Sequence, residues 1–289
     1  MNTGGPWADL HLHSHYSDGA DSPAEVVQRA EELGCSAIAL TDHDTVAGVE
    51  EGAAAARRAG LVFFAGTEIS AQYGKHEVHI LGLGVDPAEP KLLAALNTVS
   101  AGRIRRAERI VERLRGLEIP ITMEDVAKRA GSGAMGRIHI AQELFAQGYC
   151  LTVQDAFDKF IGRGRKAFAP KPALTCDAAI QAIHGAGGAA FLAHPGVGKT
   201  GRILTRLLQF PFDGIEAYHS KHTAGEISEY VEAAAAAGLL ISGGSDCHGR
   251  AKNAPPEMGK VRLAWAHVSA LQRALGEGKP AGNAGGGGP

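Results

Sequence analysis

Three short clusters of histidine and acid punctuate this chain. They are Asp9-Leu10-His11-Leu12-His13-Ser14, Thr41-Asp42-His43-Asp44 and Ser245-Asp246-Cys247-His248, and each follows or sits within an apolar run. Burying imidazoles and carboxylates is costly unless something cationic sits among them. These side chains are also the oxygen and nitrogen donors that hold divalent metals. The economical explanation is a centre with more than one cation.

The donors can be weighed singly. His11 and His13 alternate with leucines, so on a strand both imidazoles share a face. His15 shares that face only if the strand continues, and Tyr16-Ser17-Asp18-Gly19 reads as a turn. Asp18 has two readings, turn chemistry before Gly19 or a return toward the site. His43 is the ligand of its cluster. Asp42 is placed to orient an imidazole, and Asp44 to cap the next helix. Glu68, after an apolar run, can bridge two cations. His79 enters the run Ile80-Leu81-Gly82-Leu83, whereas His76 follows Tyr73-Gly74-Lys75 and reads as surface. His194 precedes Pro195-Gly196 at a strand end. Asp246 and His248 form a second alternating pair with the close-packing Gly243-Gly244 before it, and Cys247 between them reads as packing. His184 and His267 read as ordinary helix or surface histidines.

The elements that must carry these residues are legible as well. Ser22-Pro23-Ala24-Glu25 is a capping box with proline at the first helical position. Gly34 and Gly60 end the first two helices. Strands are predicted at 36–40, 61–65, 78–83, 189–193, 214–218 and 239–242, with helices at 177–186 and 224–237 among them. Alternation of short buried strands with helices predicts a parallel α/β sheet. The clusters follow its strands, at the edge where α/β barrels carry their chemistry. The rhythm breaks from Pro90 to Lys171, where helical patterns at 91–117, 123–130, 137–147 and 153–161 predict an inserted helical cap. The expected division is a barrel of 1–89 and 172–275, a cap of 90–171 and a disordered tail of 276–289 rich in glycine.

Bulk properties narrow the function. The 289 residues carry 29 basic and 31 acidic side chains, so overall charge does not point to nucleic acid. Basic residues are concentrated locally in the cap, from Arg103 to Arg115 and from Arg163 to Lys166. Four scattered cysteines form no CxxC pair and suit a reducing cytoplasm. No apolar run reaches membrane-spanning length.

Taken together, the three clusters with Glu68, His79 and His194-Pro195 resemble the PHP (polymerase and histidinol phosphatase) family of metal-dependent phosphoesterases. The resemblance implies a distorted (β/α)7 barrel with two or three divalent cations, manganese first and iron or zinc as alternatives. It assigns His11, His13, Glu68 and Asp246 to one metal, Glu68, His79 and His194 to a second, and Asp18, His43 and His248 to a third. The helical insertion resembles the branch of 3′,5′-nucleoside bisphosphate phosphatases and 5′→3′ exoribonucleases acting on short RNA. There Arg137-Ile138-His139 is similar to an element that contacts substrate phosphate. Tyr218-His219-Ser220-Lys221-His222 is similar to a segment facing the substrate, with His222 the best match.

The expected chemistry is hydrolysis of nucleotide phosphate monoesters. A water shared by two cations loses its proton near neutral pH and attacks in line. Arg137, with Lys171 or Arg165, would hold a second phosphate, and His139 or His222 would protonate the leaving alkoxide. The rivals are an exoribonuclease and, in another class, a degenerate domain kept for binding or scaffolding.

Overall fold

The computed structural model describes residues 5–130, 135–170, 173–198, 200–249 and 257–276. Lys171 and the expected tail beyond Gly276 lie outside them.

A single nine-stranded sheet among the described residues positions the site. Its strands are β1 (Trp7–Leu12), β2 (Ala37–Leu40), β3 (Val62–Tyr73), β4 (His76–Leu83), β6 (Ala189–Leu192), β7 (Gly214–His219) and β8 (Leu240–Gly244). Two short strands, β5 (Leu174–Thr175) and β9 (Leu263–Ala264), pair with β3 and β1. The spatial order is β8-β7-β6-β4-β3-β2-β1-β9. Beyond its named strands the sheet nearly closes on itself. His13 N–H donates to Cys247 O at 3.0 Å, and Asp246 N–H to His11 O at 3.0 Å. The result is the distorted barrel of seven main strands that the sequence predicts.

The expectation of an all-parallel sheet is corrected at β4 and at the short edge strand β9, which pairs antiparallel with β1. β4 runs antiparallel to both β3 and β6. Tyr73 pairs with His76, so only Gly74 and Lys75 turn the chain, and Gly74 supplies the positive φ of +57° that such a hairpin needs. Two residues leave no room for a crossover helix, which a parallel neighbour would require. His76 therefore opens a strand and is half-buried, not a loop residue on the surface.

Helices α1 (Pro23–Glu32), α2 (Val49–Ala59), α7 (Cys176–Gly185), α8 (Leu204–Leu207), α9 (Ala224–Ala237) and α10 (Trp265–Ala274) follow the barrel strands. The capping box of α1 forms in both directions, Glu25 N–H to Ser22 Oγ at 3.3 Å and Ser22 N–H to Glu25 Oε2 at 2.7 Å. Among the described residues no helix is long and apolar enough to cross a membrane.

The insertion comprises α3 (Pro90–Arg115), α4 (Met123–Ala130), α5 (Arg137–Ala146), α6 (Val153–Ala156) and a π-helical turn at Phe157–Ile161. It encloses a hydrophobic core of its own, with Ile110, Leu114, Val126, Ile140 and Leu144 fully buried. The first half of α3 instead puts Leu92 and Leu96 into the barrel core. One helix is thus shared by two cores. At the crossover Arg103 Nε donates to Asp44 Oδ2 at 3.0 Å. Asp44 also accepts from Ser70 N–H at 2.6 Å and Ser70 Oγ–H at 2.9 Å. Its sequence-based role as a helix cap is therefore corrected, since Gly48 precedes α2 and the helix has no side-chain cap. Asp44 instead anchors the insertion to the barrel.

Gly244 marks the tightest approach of β8 to β1. A Cβ there would lie 2.3 Å from His11 Cβ and 2.5 Å from its backbone nitrogen. Gly244→Ala must therefore push β1 and β8 apart. The expected cost is about 1–3 kcal/mol, read as a lowered melting temperature in the metal-free protein. An unchanged melting temperature would show that the two strands are not packed so closely.

Candidate metal centre

Glu68 lies at the middle of the barrel mouth with no solvent exposure. Five imidazoles surround its carboxylate. His43 Nδ1, His11 Nε2 and His13 Nε2 lie 3.1, 3.2 and 3.3 Å from Oε2. His79 Nδ1 and His194 Nε2 lie 2.7 and 2.8 Å from Oε1. Asp246 Oδ1 sits 3.2 Å from His13 Nε2 and 3.6 Å from His11 Nε2. Asp18 Oδ1 meets His248 Nε2 at 3.2 Å, and Asp18 Oδ2 meets His43 Nε2 at 3.9 Å.

All nine donors expected from sequence thus converge. Among the described residues, compact groups able to hold an ion are His11-His13-Glu68-Asp246, His13-Asp18-His43-His248, His43-Glu68-His79 and His11-Glu216-His219. His43 faces Glu68 with one nitrogen and Asp18 with the other. His194 shares Oε1 of Glu68 with His79 but falls outside the three-donor group that His43 completes. His15 is not a member; it stacks on Tyr16 with ring centroids 4.7 Å apart.

The donor set fits divalent cations. His11 Nε2 and His13 Nε2 approach to 3.1 Å, so two ring nitrogens aim at one spot. Buried His13 Nδ1 and His43 Nδ1 have no hydrogen-bond partner although carboxylates are near. Buried polar atoms normally find partners, and bound cations would supply them here. Burial pushes the Glu68 carboxyl up, yet the charges of His43, His79 and His11 hold it well below the usual carboxylate range. An ionised carboxylate with two separate oxygens is suited to bridging.

Local structure sets each donor. β1 places His11 and His13 on one face, as alternation dictates. Asp246 and His194 follow β8 and β6 with φ of +56° and +25°. Such backbone conformations are strained for residues with a Cβ and cluster at functional sites. Asp246 is consequently not part of an extended Asp-x-His strand, and Cys247 is buried as packing. Asp42 was expected to orient an imidazole. It accepts instead from Ser14 N–H at 2.7 Å, Ser14 Oγ–H at 2.6 Å and Ser17 Oγ–H at 2.6 Å. It braces the turn that delivers Asp18.

Comparison with known proteins now gives this geometry a family. Residues 9–109 match the model of the PHP domain. The chain is 37% identical to the 3′,5′-nucleoside bisphosphate phosphatase of Chromobacterium violaceum, over 87% of this chain and 89% of that protein. It is 34% identical to the 5′-3′ exoribonuclease Rnm of Escherichia coli, over 83% and 84%. A crystal structure of a presumed metal-dependent phosphoesterase from Bifidobacterium adolescentis superposes with a TM-score of 0.80 at 32% identity, covering 93% of this chain and 96% of that one.

The chain belongs to the PHP family. It is a metal-dependent phosphoesterase, a hydrolase of phosphoric esters.

Within this PHP barrel two buried residues of β7 complete the centre, and the sequence reading passed over both as site residues. Glu216 Oε1 accepts from His11 Nδ1–H at 2.9 Å, and Oε2 accepts from the His194 backbone N–H at 2.7 Å. One carboxylate therefore fixes the tautomer of His11, leaving Nε2 for a cation, and holds the His194 turn. The signal was present, since Glu216 is an acid inside the apolar run Gly214-Ile215-Glu216-Ala217. His219 stands 3.5 Å from Asp246 Oδ2 through a buried Nε2 that lacks a hydrogen bond.

His219, not His222, faces the metal ligands. His222 Nδ1–H donates to Ala217 O at 2.9 Å, and Nε2 accepts from Gly196 N–H at 3.1 Å. Both ring nitrogens contact backbone groups, so the His222 ring does not face the metal ligands. Arg165 is exposed in a loop whose Arg163, rather than Arg165, lines the neighbouring cavity.

Glu216→Gln keeps the volume and removes the charge facing His11. Metal affinity is expected to fall roughly 10–100-fold, measured by competition with a chromophoric chelator. Unaltered affinity would show that Glu216 does not organise the centre.

Proposed function

We propose that this protein hydrolyses phosphate monoesters of nucleotides, namely 3′,5′-nucleoside bisphosphates and AMP-like monophosphates, in the cytoplasm. The supporting observation is where α5 puts Arg137 and His139. Arg137 lines a cavity together with Glu77, and Glu77 Oε1 is 3.3 Å from His79 Nε2. His139 is close enough for Asp18 to act on its charge. A phosphate at the metal centre would therefore have an arginine and a histidine of the cap beside it. The four buried free thiols accord with a reducing compartment.

In this reading His11, His13, Glu68 and Asp246 hold one cation. Glu68, His79 and His194 hold a second, and Asp18, His43 and His248 a third. Manganese is the preferred ion, with iron or zinc compatible with an all-N/O donor set. Bound divalent cations supply acidity to water and neutralise phosphoryl charge.

The protein's own groups do the rest. Arg137 lies over the Phe157 ring at 5.4 Å, which orients its guanidinium. The fork can then grip two oxygens of the substrate's other phosphate. His139 Nδ1 accepts from Gly136 N–H at 3.1 Å, so in the neutral ring the proton sits on Nε2. Burial lowers the pKa of His139 and favours that neutral form. The neutral ring's Nε2–H can then hydrogen-bond to the leaving oxygen and stabilise the developing alkoxide, which takes its proton from solvent.

Two experiments test these roles. Arg137→Ala should raise KM for a 3′,5′-bisphosphate on the order of tenfold more than KM for AMP, the value of one charge-assisted contact. Equal increases would remove the second-phosphate role. His139→Ala should lower kcat for AMP about 10²–10³-fold while sparing p-nitrophenyl phosphate, whose leaving oxygen develops little charge. Equal losses on both esters would remove the role of hydrogen-bond donor to the leaving oxygen.

A further inference from the structure

A second feature of the cap lies outside the metal centre. Between the β3–β4 hairpin and the cap is a cavity of about 450 Å³. Arg106 and Arg137 line it with Lys75 and Arg163, and both Lys75 and Arg163 are exposed. Glu77 is the one carboxylate in its lining among the described residues, and Phe168 gives it an aromatic wall.

The charges of this cavity are poorly compensated. Arg106 is only 9% exposed, and its Nε–H donates to a neutral acceptor, Ala169 O, at 2.9 Å. Among the described residues no carboxylate lies within ion-pair distance of Arg106, Arg137 or Arg163. Other cap arginines do pair, Arg103 with Asp44 and Arg129 with Glu143. Three cap arginines without such a pair, Arg106, Arg137 and Arg163, thus meet at one cavity. Burial, reinforced by the charge of Arg137, draws the Arg106 pKa down to about 10. Buried like charges without a counter-ion are unfavourable, and a ligand rich in negative charge relieves them.

Position identifies the ligand class. Glu77 and His79 are alternate residues of β4, so the cavity begins roughly 7 Å along the strand from a metal ligand. A basic groove with an aromatic wall, leading away from the reacting centre, has the two components that hold single-stranded nucleic acid.

We propose that this cavity binds the phosphodiester backbone of a short single-stranded oligonucleotide downstream of the phosphate being cleaved. This rests on the phosphoesterase reading above. It favours short RNA as a substrate alongside mononucleotides and gives the second reading, 5′→3′ exoribonuclease, a physical site.

The test compares wild-type holoenzyme with Arg163→Ala and Lys75→Ala, both exposed positions where folding should survive. The substrates are a 3′,5′-bisphosphate and 5′-phosphorylated oligoribonucleotides of increasing length, assayed with manganese. The variants should lose on the order of tenfold more kcat/KM on the longer chains than on the bisphosphate. The salt dependence of KM for those chains should become shallower by about 0.7 per phosphate contact removed. Losses independent of chain length would overturn the proposal. Binding of a labelled phosphorothioate oligoribonucleotide, followed by fluorescence anisotropy, makes the same comparison without turnover. If wild type cleaves no ester yet binds the chain more tightly than the variants, the hydrolytic reading fails and the cavity stands. If wild type cleaves the bisphosphate and the variants bind the chain as tightly as wild type, the cavity alone fails.

Discussion

A carboxylate with no access to water, ringed by imidazoles, is the constraint from which the rest of this molecule follows. Glu68 touches three histidines through one oxygen and two through the other. Hydrogen bonding alone does not explain so dense a group, because His13 Nδ1 and His43 Nδ1 are buried without a hydrogen bond. Bound cations would explain it. The barrel is then a device for bringing donors on or just after six strands, β1, β2, β3, β4, β6 and β8, to one point. The close approach of Gly244 to His11, the strained Asp246 and His194, and the Glu216 carboxylate behind them all serve that convergence.

The cap adds what the barrel lacks. Metal ligands alone can activate a phosphoryl group but do not choose among phosphate esters. α3 solves the docking problem by belonging to two cores, and the Arg103–Asp44 pair fastens it beside the centre. Once fixed, the cap would, on the proposed reading, present Arg137 and His139 to the mouth, and it lines the basic cavity beyond it.

Much of this was legible in the sequence because metal chemistry restricts residue types. Alternation in His11-Leu12-His13, a lone glutamate after an apolar strand and a histidine before Pro195 are each modest signals. Their order along the chain made them specific. Helix caps at Ser22 and Gly60 were equally plain, being local. What escaped depended on the third dimension. The antiparallel β4 followed from a two-residue turn whose sequence, Gly74-Lys75, also suits a longer loop. Asp42 and Asp44 were recognised as polar and important but given the wrong partners, since Ser14, Ser17, Ser70 and Arg103 come from other segments. His219 and His222 lie three residues apart on one loop, and only the fold decides which faces inward. Glu216 was discoverable by the rule applied elsewhere, that a charge inside an apolar strand needs a reason.

The most direct test is anomalous diffraction at the manganese edge from crystals of the manganese-loaded protein. At least two ions are expected, one on each oxygen of Glu68, with His11, His13 and Asp246 on one side and His79 and His194 on the other. A loaded crystal in which Glu68 contacts only imidazoles, with manganese elsewhere or absent, would contradict the account at its centre.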